Sequence, residues 1–329
     1  MLARTKRLVF SADQIVVSGT LPLTSEKGVL LSFLFHSLFE SPSEARSGVM
    51  DPQQGTTVPM LRRLIEHFQK QRYEFIGPAD ILKGLRADGR YVLLTFDDGY
   101  GNNVRALPVL EAAGVPATLF ISSGHVKKGK AFWWDVVYRQ GKRRGQSENA
   151  ICRIVAGYKR FTAAEIETRL QSQYGAAVLH PVGDLDRPFT PAELRDFVAH
   201  RLISVGNHTR DHAILTNYSV AEAREQIEGA QADIREMTGK TPEMIAYPNG
   251  NESAAIVRAA VSCGLRLGIG IRPGRNRAPL HPSSNAAMSI KRFIIWGDWG
   301  IEAQCRTSRS AVSFDRLLRA AKARSSRSP

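Results

Sequence analysis

Short, almost uninterrupted apolar runs alternate along this chain with amphipathic stretches, and no other feature narrows the possible folds as much. The runs lie at residues 29–35, 91–96, 117–121, 202–205, 244–247, 265–271 and 290–295. Strands with one wet face would show a polar residue at every second position. These runs do not, as expected of parallel strands covered on both faces. Between them, "PMLRRLIEHFQKQ" repeats apolar residues at helical spacing. "NNVRALPVLEAAG" offers Asn102 or Asn103 as a helix N-cap and Gly114 as its stop, and "SVAEAREQIEGAQADIREMTG" runs from Ser219 as N-cap to Gly239. This β–α order implies an α/β protein with a parallel sheet, doubly wound or closed into a barrel. Residues 125–190 break the rhythm and read as an insertion over one end of the sheet.

At 329 residues with 43% hydrophobic content, the chain can bury one large α/β core or two smaller ones. Its three cysteines, Cys152, Cys263 and Cys305, are widely spaced and form no CxxC pair. That pattern predicts a reducing compartment without a disulfide framework. The basic N-terminus lacks the continuous apolar core of a secretory signal. "GVLLSFLFHSLF", the longest apolar stretch, is about half the ~20 residues that a membrane span needs. A soluble, cytoplasmic protein without a transmembrane segment is the expectation.

The net charge of +14 suggests nucleic acid, but its distribution argues otherwise. From residue 306 to 327 there are seven basic residues and one acid, so this tail carries +6 of the total. A second cluster, "KKGK" and "GKRRG", sits in the insertion. Neither accompanies a zinc-finger or RNA-recognition signature, so no specific nucleic-acid partner is expected. Two readings stand: solvated basic segments, or peripheral attraction to an anionic glycan, lipid headgroup or membrane surface.

In sheets of this kind, functional groups collect at the carboxyl ends of the strands. Asp97 and Asp98 stand at such an end in "LLTFDDGYGNN". Neighbours within a strand point to opposite faces. Past its end, with Gly99 relaxing the turn, both can enter one cleft; an Asp-Asp-Gly turn with solvated carboxylates is the plain alternative. "SVGNHTRDH" places His208 and His212 four residues apart after another strand. On a turn of helix, such a pair faces one way at a separation suited to one metal ion. Together the two motifs offer two imidazoles and a carboxylate to a divalent metal, and leave one carboxylate free to remove a proton from activated water. In "IAYPNGN", Pro248 stiffens the backbone and Gly250 permits a tight turn. The Asn249 amide is then a candidate oxyanion donor, with simple turn punctuation as the other reading.

At these three motifs the sequence resembles the polysaccharide deacetylase family, carbohydrate esterase family 4, which includes the nodulation-type chitooligosaccharide deacetylases. The resemblance runs from about residue 29 to residue 295. It implies a distorted (β/α) barrel with about seven parallel strands, and metal-dependent removal of acetyl groups from N-acetylated sugars of a poly- or oligosaccharide. By motif position it implies Asp97 as catalytic base, Asp98, His208 and His212 as metal ligands, and the backbone amide of Asn249 as oxyanion donor. Zinc is the expected metal, with cobalt or nickel as alternatives. The partner it implies is an N-acetylated glycan, contacted by Tyr247, Pro248 and Trp134.

"LLSFLFHSLFE" resembles an N-terminal strand that in one branch usually carries Tyr-His; here the pair is Phe35-His36. His36 approaches the cleft in one reading and is a structural histidine in the other. Likewise Trp133 and Trp134 of "FWWD" either stack on a sugar ring or pack in the core. Two departures stand out. Better-known members orient the catalytic aspartate with an arginine in the third motif, where this chain has Ala246. Arg292 in "SIKRFII" is the candidate replacement. The family's late Leu-His motif, whose histidine is the general acid, has a counterpart only in Leu280-His281, inside a loop rich in proline and serine. The expected organisation is an N-terminal extension at 1–27, one barrel at 28–300 and a basic tail at 301–329. Rival activities are an O-acetyl esterase or formamide hydrolase on the same scaffold, or a non-catalytic glycan-binding barrel.

Overall fold

Every apolar run of the sequence contributes a strand, and short additional strands fill the margins. The computed structural model describes residues 2–312. Its strands are β1 (Val29–Phe35), β2 (Glu74–Phe75), β3 (Arg90–Phe96), β4 (Ala117–Ile121), β5 (Ile203–Asn207), β6 (Met244–Ala246), β7 (Leu267–Ile269), β8 (Asn276–Arg277) and β9 (Phe293–Ile294). They form one sheet in the order β7-β6-β5-β4-β3-β1-β8, with β2 beside β3 and β9 beside β1. Only the β1–β8 pairing is antiparallel. The last two runs are shorter as strands than as apolar stretches, because residues 290–294 serve both margins of the sheet. Ile290 makes a parallel bridge to Ile269 of β7, while Phe293 and Ile294 pair with Phe33 and Leu34 of β1. This narrow seam closes the sheet into the expected distorted barrel.

Side-chain alternation decides what fills it. On β3, Val92, Leu94 and Phe96 point outward with Leu31, Phe33 and Phe35 of β1. They meet the apolar stripe of helix Val58–Lys70, whose Leu61, Leu64, Ile65 and Phe68 recur at helical spacing. Tyr91 and Leu93 point inward, with Leu30, Phe120, Met244 and Ile290. The interior is tight: a Cβ on Gly206 would stand 2.3 Å from the Phe120 ring, so the bulk of Phe120 depends on a glycine opposite. Truncating such a buried phenylalanine costs about 3–5 kcal/mol.

The helix from Val220 to Thr238 begins as its sequence predicts. The Ser219 hydroxyl accepts from the Glu222 N–H, the Glu222 carboxylate accepts from the Ser219 N–H, and Gly239 ends the helix at φ 71°. Asn102 and Asn103 depart from expectation. The chain runs through a 3₁₀ turn, Gly101–Ala106, before helix Leu107–Ala113, and neither asparagine caps it. Both are buried instead: Asn102 accepts from the Leu38 N–H and Asn103 donates to the His36 carbonyl. They tie the segment after β3 to the segment after β1.

Between β4 and β5 lies the stretch that broke the rhythm. It contains helices Trp133–Arg143, Glu148–Tyr158 and Ala163–Tyr174, and its own apolar cluster of Trp133, Trp134, Ile151 and Leu170 meets Phe39, Met50 and Tyr100 from the barrel. The two ends of the chain also pack together. Gln14 of helix Leu2–Thr20 donates to Thr307 of helix Ile301–Arg309, and the Phe10 and Trp299 rings lie 4.5 Å apart. Arg309 forks onto Glu26, so the first part of the basic tail is built into the fold. Residues 313–329, the rest of that tail, lie outside the described residues. Among the described residues no helix is long and apolar enough to cross a membrane.

Candidate active site

The inward row of β3 runs Tyr91, Leu93, Thr95 and then, one step past the strand, Asp97. By the same alternation Asp98 would face outward. A φ of 76° at Asp98, followed by Gly99 at 92°, breaks the alternation and turns the second carboxylate into the cleft as well. A positive φ at a non-glycine residue is strained. The strain sits where two adjacent acids are needed on one side.

His208 continues the inward row of β5. The expectation that His208 and His212 share a turn of helix is corrected by the structure: the segment after β5 is a loop, with Thr209 at φ 63° and His212 at φ 49°. The loop still brings the rings together, with centroids 4.8 Å apart. Residue type and spacing indicated the pair; the backbone that achieves it was not legible.

Asp98, His208 and His212 each present a ligand atom within 4.8 Å of the others. Both imidazole Nε2 atoms stand 3.3 Å from Asp98 Oδ1, yet neither oxygen of this fully buried carboxylate accepts a hydrogen bond. A buried carboxylate without donors is costly, and two imidazoles plus a carboxylate is a donor set for a borderline divalent cation. His208 Nδ1 lies 2.7 Å from the Ala246 carbonyl. A carbonyl only accepts, so Nδ1 carries the hydrogen and Nε2 is left free to ligate. The residues fit a metal.

Burial alone would push the Asp98 carboxyl up, but the imidazoles of His36, His208 and His212 hold it well below the ordinary carboxylate range. Burial pulls both ligand histidines down. Asp97 and Asp98 together overcome this at His208 and raise it, whereas His212 remains lowered.

Asp97 is paired differently. Arg292 Nη1 and Nη2 reach its two oxygens at 2.7 and 2.8 Å. The same guanidinium donates to the Gly270 carbonyl at 2.8 Å and the Thr95 hydroxyl at 3.1 Å, and it is fully buried. Burial would raise the Asp97 carboxyl; Arg292 and His208 outweigh it and hold it low. Arg292, the candidate named from the sequence, is the cation that pairs with Asp97. Ala246, at the third-motif position, is fully buried.

Asp97, Asp98, His208 and His212 line a cavity of about 260 Å³. His36, Tyr247, Asn249 and Trp134 also line it. Trp134 meets the His212 ring edge-on at 4.5 Å and donates its indole N–H to the Tyr100 hydroxyl, which donates to Asp135. Both tryptophans pack in the core, as one sequence reading expected, and also line the cavity. Pro248 is buried but does not line the cavity, and His281 is exposed on its loop away from it. The wall residues not singled out in the sequence include the polar Asp51, Gln53, Gln54 and Lys159. Asp51 and Gln54 come from "DPQQG" after β1, which reads as an ordinary turn, and Lys159 from the insertion. Burial at the cavity wall pushes the Asp51 carboxyl up.

A family model for polysaccharide deacetylases matches residues 85–268, more than half of the chain. Among solved structures, the chain is similar to the Streptococcus pyogenes deacetylase PplD in complex with acetate. Identity is 16% and the TM-score 0.57, covering 86% of this chain and 99% of that one. It is similar to IcaB from Ammonifex degensii at 16% identity and TM-score 0.57, covering 87% and 99%. The deacetylase domain of BpsB from Bordetella bronchiseptica matches at 19% identity and TM-score 0.52, covering 82% and 97%. At these identities the structural likeness is one of fold. The family match spans Asp97, Asp98, His208, His212 and the third motif together, and the chain belongs to the polysaccharide deacetylase family.

Proposed function

We propose that this protein is a metal-dependent hydrolase that removes acetyl groups from the N-acetylated sugars of a glycan. The observation that carries the reading is the division of labour at one strand end. Asp98 converges with His208 and His212 without a hydrogen-bond donor of its own, while adjacent Asp97 is held by Arg292. A divalent cation bound there, zinc first among candidates, supplies Lewis acidity toward the acetyl carbonyl and acidifies water.

The chain's own residues do the rest. Arg292 keeps Asp97 ionised and fixes its orientation, and each carboxylate oxygen retains a lone pair for the proton of the attacking water. The Asn249 side chain is already engaged, its Oδ1 by Lys159 and its Nδ2 by Asn251, each at 2.7 Å. What this residue offers a tetrahedral oxyanion is thus its backbone N–H, presented from a left-handed turn at φ 57°. Trp134 gives an apolar face to the sugar, while the fully buried Tyr247 packs behind the wall, and the buried walls exclude bulk water.

Acetate release should be measured from N-acetylglucosamine oligosaccharides, peptidoglycan fragments and acetylated exopolysaccharide, with added zinc, cobalt or nickel and with chelator. O-acetylated and N-formylated analogues run alongside. Release from the N-acetyl substrates, lost on chelation, supports the reading. Preference for the ester or formamide would reassign the reaction on the same scaffold, and binding without turnover would make the barrel a glycan-binding module.

A further inference from the structure

The insertion between β4 and β5 supplies part of the cavity wall, and one of its residues touches the turn that carries Asn249. Lys159 is the first residue past helix Glu148–Tyr158. The residue as a whole is exposed, but its ammonium end lines the cavity and donates to Asn249 Oδ1 at 2.7 Å. We propose that Lys159 is a positioning residue for the reaction, holding the Asn249 turn so that its backbone N–H stays aimed at the tetrahedral oxyanion. This rests on the deacetylase reading above.

The turn is one that needs holding. Asn249 at φ 57° and Gly250 at φ 69° are consecutive left-handed residues, and a side chain at the first of them adds strain. The second has no alternative to glycine, since a Cβ there would stand 2.4 Å from the Ile271 side chain. Both ends of the Asn249 amide are tied down. Its Oδ1 accepts from Lys159, and its Nδ2 donates to Asn251 Oδ1 at 2.7 Å. Asn251 in turn donates to the Thr216 hydroxyl at 3.3 Å. The next residue, Asn217, donates to the carbonyls of Lys159 and Phe161 at 2.8 and 3.1 Å. The hydrogen bonds thus close a ring through three segments: the insertion, the loop that follows His212, and the turn after β6. Just beyond it, the Ala163 N–H donates to the Tyr218 hydroxyl at 2.7 Å and pins the insertion again.

The lysine enters this ring at a cost. A solvated lysine keeps its charged head in water, whereas desolvation here pulls the Lys159 ammonium below its ordinary pKa. Asp51 is the acid whose charge favours the ammonium most. Among the described residues, however, no ion pair engages Lys159, and its partner is the neutral amide of Asn249. A bond from an ionised donor is stronger than one between neutral groups. It suits a turn whose N–H must not drift, because a misplacement of about 1 Å can cost a hundredfold in rate.

The test compares Lys159→Met, Lys159→Arg, Asn249→Gly and the double variant Lys159→Met with Asn249→Gly, all in the full chain. Each is assayed for metal content, thermal melting, and kcat and KM. The substrates are an N-acetylglucosamine oligosaccharide and 4-nitrophenyl acetate, since both must pass through an oxyanion. That charge exists only after water has added, so a loosened N–H lowers kcat and kcat/KM alike and spares KM. Lys159→Met should lose about 10–10²-fold in kcat on both substrates, with metal content and melting temperature unchanged. Lys159→Arg should recover most of the loss. Asn249→Gly keeps the backbone N–H and the left-handed φ but removes the amide that Lys159 grips. It should show a similar loss, and adding Lys159→Met to it should cost little more. Full kcat in Lys159→Met, or losses that multiply in the double variant, overturns the proposal. A loss confined to KM also overturns it and makes Lys159 a substrate contact. A wild type that releases acetate from neither substrate, with zinc, cobalt or nickel added, defeats the deacetylase reading and this proposal together.

Discussion

Arg292 grips both carboxylate oxygens of Asp97 at 2.7 and 2.8 Å, although 195 residues separate them in the chain. The pair is fully buried and spans the barrel from its closing seam to β3. Breaking one side of such a pair costs far more than its net contribution, because the remaining charge is left buried and unpaired.

Arg292→Met should therefore destabilise the protein by about 3–5 kcal/mol, read by urea unfolding. Arg292→Lys keeps the charge but not the fork, so it should lower kcat more than it changes KM. The Asp97 carboxyl is held low in the fold, so its stabilising contribution exists above the ordinary carboxylate range and is lost as pH falls through its depressed value. Without the guanidinium that value rises, and the acidic limb of kcat/KM should move to higher pH in both variants. An unmoved limb would mean that Arg292 does not tune the base.

Adjacent aspartates with different roles should fail differently. Asp98→Asn should lower metal content, and excess metal should recover part of its activity. Asp97→Asn should retain metal while kcat falls by about 10²–10⁴-fold, without rescue by added metal. Metal stoichiometry beside turnover decides it; metal loss in Asp97→Asn instead would reverse the two assignments.

Metal should also stabilise the fold by mass action, by about 2.7 kcal/mol at a hundredfold excess over Kd, and a chelator should remove that gain. Asp97 and Asp98 push His208 up, so protons compete for it and metal affinity should weaken as pH falls. Calorimetric melting with and without zinc, across pH, reads both effects.

Two histidines outside the cavity make a separate pH prediction. Burial pulls His125 down to about 3 and His67 down to about 4. Both stay neutral in the fold while the unfolded chain protonates its histidines below about pH 6.5. The unfolded state thus binds more protons, and stability should fall as pH drops from there through these depressed values. His125 Nδ1 lies 3.0 Å from the Lys130 carbonyl. His125→Gln supplies an amide donor that does not titrate and should flatten the slope. Denaturant midpoints between pH 7 and pH 4 check this, and an unchanged slope would remove His125 as a cause.

The sequence by itself determined the barrel strands, because parallel strands buried on both faces require runs without polar interruption, and runs such as "VLLSFLF" have few other uses. It also determined the chemistry-bearing residues of "TFDDG" and "NHTRDH", whose types and spacing carry the metal-site expectation. Local signals with local causes were legible too, such as the capping box at Ser219 and the left-handed stop at Gly239. What the tertiary structure decided were relationships between distant segments. Alternation alone sends Asp97 and Asp98 to opposite faces, and only a strained turn at Asp98 unites them. Asn102 and Asn103 look like caps in isolation, but burial commits them to Leu38 and His36 across the sheet. The pairing of Arg292 with Asp97 depends on a closing seam formed by residues 290–294, and the neighbouring of His36 and Asp97 depends on the register of β1 against β3. Such partners are brought together by packing the whole barrel, so no window of sequence contains them.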